Sequence, residues 1–217
     1  MISVSFTDWK ILWHVYQAFK TLQKRAAEKG IPFGGPSSLP NNRDDLKDLH
    51  KVPNGPPIGE GSVVRYVAFI SNPRYSNTKK KGGKGEAVNC NLLEEEHNDI
   101  HADLVREPDE DPCLSITAEI IPHHRPHAWE VRFLDRLKNR PVRVTGHLFF
   151  DSVHKPCVGS KRASPPRISL WEIHPVYAID VCTSKSLGAC PSKAESKWVP
   201  LHEWFKGQTG EEEDDDE

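Results

Sequence analysis

With 217 residues, the chain is long enough for one substantial core with appendages and short for two full domains. Its 36% hydrophobic and 28% charged residues stand near the polar end of the globular range, while six Trp and eight Phe exceed what a disordered chain carries. The formal charge of -2 becomes +5 when the seven acidic residues 211–217 are set aside, and no stretch approaches the roughly 20 apolar residues of a membrane span.

The N-terminal residues mix Asp8, Lys10 and His14 into their apolar positions, which predicts neither a signal peptide nor a membrane anchor. Thr7 is placed to cap an amphipathic helix running to Glu28, with Leu12, Val15, Phe19 and Leu22 at helical spacing and Gly30 as the stop. Residues 1–30 therefore form a helical unit, and residues 31–60, rich in Pro and Gly, read as a linker with one short helical turn at 44–49.

Residues 61–206 carry a different pattern. Ser62 to Asn72 is rich in β-branched and aromatic residues and stops at Pro73 as a first strand. Asp99 to Val105 alternates strictly, setting Ile100, Ala102 and Leu104 against Asp99, His101 and Asp103. Leu114 to Ile121 alternates likewise, with Ser115, Thr117 and Glu119 on its polar side. A helix follows over 127–139, then strands at 142–150 and 168–182. The order β, β, β, α, β, β, with the helix between strands three and four, predicts a mainly β chain built on a five-stranded OB-like barrel with flanking helices. Gly146 allows a strong bend, and Pro175 fits a bulge or an edge. Trp198, Leu201, Trp204 and Phe205 suggest a C-terminal helical cover, and residues 207–217 an acidic, disordered tail.

The segments NDIHADL, VRVTGHLFFD and WEIHPVYAIDV resemble functionally uncharacterised bacterial proteins with an OB-like core, in which a DIH strand and a terminal IHPV strand recur. The resemblance covers the barrel region and implies its fold; it implies no activity.

OB barrels bind through the faces of strands two and three and through the loops joining strands one to two and four to five. Both loops are basic here: Arg74, Lys79, Lys80, Lys81 and Lys84 with Tyr75 in the first, and Lys155, Lys161, Arg162 and Arg167 in the second. Brought to one rim, they suit a phosphate backbone, and the acidic tail would compete for the same surface. The expected function is thus non-enzymatic binding of single-stranded DNA or RNA, modulated by the tail.

The sheet face points elsewhere. His101, Glu119 and His174 fall on neighbouring strands, and two imidazoles with a carboxylate suit a divalent metal that activates water, the reading of a metal-dependent hydrolase. The same three groups also suit a purely structural hydrogen-bond network, and the N-terminal helix with the proline-rich segment suits a protein-interaction module. His123, His124 and His127 lack the spacing of a dedicated metal site, and no nucleophile motif is present. Five widely spaced cysteines without a CxxC motif predict reduced thiols and a cytoplasmic setting.

Overall fold

Strands that alternate in polarity each offer one apolar side, and a sheet of five such strands buries it by closing on itself. The computed structural model, which describes residues 19, 21–28, 43–51, 57–76 and 90–209, shows that closure. Strand β1 (Val63–Tyr75) pairs antiparallel with β4 (Pro141–Phe150) along its first half and with β2 (Ile100–Val105) along its second. β2 pairs with β3 (Ile116–Ile120) and β4 with β5 (Trp171–Cys182). A parallel pairing of Ala118 with Ile173 joins β3 to β5 and closes the barrel. The predicted order of five strands and one helical segment is the one observed, and β6 (Trp198–Pro200) adds a short outer strand to β5.

The barrel interior is built from the residues that the alternation assigns to it: Ile100, Ala102 and Leu104 of β2 and Ile116, Ala118 and Ile120 of β3 are all buried. Residues 21–28 form helix α1, and its Leu22 and Ala26, with Phe19 ahead of them, join the same core. The Gln23 side chain accepts a hydrogen bond from the Leu170 amide at 3.0 Å, which fastens this helix beside the entry to β5. Thr7, Leu12 and Val15 lie outside the described residues. Helix α3 (Leu201–Thr209) closes another part of the core with Leu201 and Phe205, as the aromatic C-terminal pattern predicts.

Three expectations are corrected. β1 does not stop at Pro73: Asn72 adopts a φ of 48°, a bulge separates the pairs Ser71–Asp103 and Arg74–His101, and Pro73, which has no N–H to donate, sits inside it. The helix predicted over 127–139 is three short turns, a 3-10 turn at His127–Trp129, helix α2 (Val131–Leu134) and a second 3-10 turn at Asp135–Leu137. Extended backbone at Glu130 breaks it, although Trp129, Leu134 and Leu137 reach the core as the periodicity requires. The described part of residues 31–60 is packed rather than a free linker: Leu46, Leu49 and Ile58 are buried, and Arg43 pairs with Glu60, whose Oε1 accepts from the Phe150 amide.

Gly146 holds the bend expected of it. The register of β4 against β5 slips on both sides of this residue, and a Cβ there would stand 2.5 Å from the Pro175 carbonyl oxygen and 2.5 Å from Ile173 Cγ2. Substitution Gly146→Ala should therefore destabilise by about 3 kcal/mol and lower Tm by on the order of 6–12 °C, measured by calorimetry.

The cysteines also depart from expectation. Cys113 is bonded to Cys157 and Cys182 to Cys190, leaving Cys90 free and exposed. Sequence spacing conceals both pairs because they are made by neighbouring loops and strand ends. Thiol titration of the denatured, unreduced protein should find one reactive thiol per chain; five would refute both bonds.

Candidate site on the outer barrel face

The register of β2 against β3 sets His101 opposite Glu119, and the pairing of Ala118 with Ile173 brings His174 to the other side of the same carboxylate. The three predicted residues do meet. His101 Nε2 lies 3.2 Å from Glu119 Oε1, and His174 Nδ1 lies 2.7 Å from Glu119 Oε2 and 3.5 Å from Glu172 Oε1. Among the described residues, the group whose donor atoms all lie within 4.8 Å of one another is Asp99, Glu119 and His174, so Asp99 takes the place in the set that the sequence assigned to His101.

From His174 the polar chain runs inward. Arg167 Nη1 donates to Glu172 Oε2 at 3.1 Å and to Asp151 Oδ2 at 2.8 Å, and the same Asp151 oxygen holds His154 Nδ1 at 2.5 Å. Arg167 is completely buried, and its Nε and Nη2 have no hydrogen-bond partner among the described residues. Asp99, Asp103, Glu119, Asp151 and Glu172 are buried too, an unusual density of carboxylates for the outer face of a sheet.

Burial and pairing set their charges. Burial pushes Glu172 up to about 8, reinforced by the neighbouring Glu119 carboxylate. Burial opposes ionisation of Glu119 as well, yet the His174 hydrogen bond and the adjacent His101 hold its pKa below the usual value. For His174, burial disfavours the charged ring, but hydrogen bonds to Glu119 and Glu172 prevail and raise its pKa to about 10. Burial works against the Asp151 carboxylate too, which is nevertheless held down at about 2 by His154 and Arg167. The hydrogen bond to Asp151 in turn raises His154.

Among the described residues of the predicted basic surface, Arg167 is withdrawn from solvent while Lys155, Lys161 and Arg162 are exposed. Arg167 is an interior ion-pairing group, because its guanidinium supplies the positive charge that Asp151 and Glu172 need away from water. Arg74 pairs with Asp103 at 3.1 Å, Arg162 pairs with Asp111 at 3.0 Å, and Arg125 lies over the Tyr75 ring. Lys155 and Lys161 are exposed, whereas Lys79, Lys80, Lys81 and Lys84 lie outside the described residues. Nor do the loops start from one rim. The first leaves β1 at Tyr75, paired with Ile100 at the beginning of β2; the second is fastened by the Cys113–Cys157 bond and the Arg162–Asp111 pair to the hairpin loop beyond Val105, at the end of β2.

The Asp151–His154 pair and the part played by Arg167 escaped sequence reasoning. The spacing DSVH is a weak signal for the former, and nothing local marks Arg167 among a run of basic loop residues. No protein-family model, curated protein or solved structure matches the chain.

Asp151 links the site to stability. Its folded pKa of about 2 lies below the ordinary 3.8, so it contributes roughly 2 kcal/mol above that range, lost as pH falls through about 4 to 2. In denaturant titrations the wild type should lose that stability over this window. Asp151→Asn should be less stable at neutral pH and should lack this part of the acid dependence; an unchanged acid limb would show that the carboxylate is not ion-paired.

Proposed function

We propose that the barrel is of the OB type and carries a divalent-metal site formed by Asp99, Glu119 and His174, and that the protein is a metal-dependent hydrolase. The observation that supports this reading most is the approach of those three donors to within 4.8 Å on an outer face where both carboxylates are withdrawn from water. Oxygen and imidazole donors suit zinc or manganese, whose bonds of about 2.0–2.2 Å would require a modest contraction of the set. His101, whose Nε2 lies 3.2 Å from Glu119 Oε1, would help to orient that ligand as a second sphere commonly does. A metal held there would supply Lewis-acid activation of water, and Glu172 beside His174, with its raised pKa, is suited to hold a proton.

Two disulfides favour an oxidising compartment over the cytoplasmic one expected from cysteine spacing, and we place the protein in the former. No helix among the described residues is long and apolar enough to cross a membrane.

Metal analysis of untagged protein dialysed against zinc or manganese should find one ion per chain. Glu119→Gln with His174→Ala should abolish it, and turnover of bis(p-nitrophenyl) phosphate should depend on that ion. Binding should weaken as pH falls, since carboxylate and imidazole ligands must be deprotonated. Failure to retain metal in the wild type, or equal retention in the double variant, would refute the site.

A further inference from the structure

Away from this site, the segment between β3 and β4 lays a series of arginines on aromatic rings. Arg132 lies in α2, Arg136 in the 3-10 turn that follows and Arg140 three residues beyond that turn. The Arg132 guanidinium lies 4.8 Å from the Phe133 ring, that of Arg136 4.8 Å from Phe205, and that of Arg140 4.5 Å from Trp204. Phe133 and Phe205 themselves touch, with centroids 5.2 Å apart, so two elements distant in sequence form one continuous band.

Ion pairs and hydrogen bonds occupy part of the band. Glu130 engages Arg132 Nε at 2.9 Å and also holds His127, whose Nε2 lies 2.7 Å from Arg132 Nη2; Asp135 engages Lys138; and Arg140 Nη1 donates to the Cys182 carbonyl at 3.2 Å. Arg132 and Arg136 are nevertheless exposed, as are Lys138 and Lys206. The ring itself does not neutralise a guanidinium that lies on it, and it leaves the other planar face open to a ligand. Flat cationic faces along one aromatic band suit a ligand that combines phosphates with unstacked bases. A duplex keeps its base faces hidden and would offer this surface phosphates alone.

We propose that the Arg132–Arg136–Arg140 band, and not the two loops, is a binding surface for single-stranded nucleic acid. The acidic run 211–217 begins two residues after α3, the helix that supplies Trp204 and Phe205, and so places a competing polyanion in sequence beside the band. This surface shares no residue with the metal site, and either can fail without the other.

The test is fluorescence anisotropy of labelled oligo-dT at low salt with the full chain and with the chain ending at Gly210. Both should bind, the shortened chain more tightly. In R132Q/R136Q, affinity should fall by on the order of tenfold or more, and the slope of log K against log salt should become shallower by about 1.4. R132K/R136K, which keeps the charge and removes the planar stack, should retain most of the slope and lose affinity. K155Q/K161Q/R162Q should bind like wild type. The inference is overturned if the shortened chain does not bind, if R132Q/R136Q binds like wild type, if the loop variant loses binding instead, or if a duplex of the same length binds as tightly as the single strand.

Discussion

Arg167 has no contact with water, yet its charge holds two carboxylates in place. Asp151 stands where β4 gives way to the long loop and Glu172 stands near the start of β5, so the guanidinium between them joins the loop to the strand that carries His174. The Ile168 amide donates to the Ser115 carbonyl at 3.0 Å and Cys157 is bonded to Cys113, which ties the same loop to the entry of β3, the strand of Glu119. Removing the guanidinium would take a buried partner from both Asp151 and Glu172, at a cost of about 3–5 kcal/mol. Strand register sets Glu119 beside His174, and this ion-pairing arrangement fixes Glu172 behind them.

The arrangement also concentrates charge on the outer face. The carboxylates of Asp99, Asp103, Glu119, Asp151 and Glu172 exceed what Arg167 and the partly exposed Arg74 neutralise, and the neighbouring imidazoles of His101, His154 and His174 and the raised pKa of Glu172 offset the rest. A surface built for phosphates would not gather carboxylates there. The positive surface lies elsewhere, where arginines are supported by Phe133, Trp204 and Phe205 rather than by buried acids.

Strand alternation made the barrel legible, because a one-residue slip in β2 or β3 would expose Ile100, Ala102 and Leu104 together, and the convergence of His101 and Glu119 followed from the same register. Gly146 was legible for its lack of a side chain. What sequence did not reveal depended on contacts between segments far apart: the Cys113–Cys157 bond, the turn of Arg167 into the interior, and the stacking of Arg136 on Phe205. Charge density along a loop gives no sign of which arginine will be buried. Helical period survived at Trp129, Leu134 and Leu137 although the helix itself was broken, since burial constrains side-chain spacing more than backbone hydrogen bonding.

The most direct measurement is anomalous scattering from crystals grown with manganese or zinc. A peak bounded by the carboxylates of Asp99 and Glu119 and the imidazole of His174, at about 2.0–2.2 Å from each ligand atom, is the predicted result. A face without a peak, or a peak confined to the His123 and His127 turns, would contradict it.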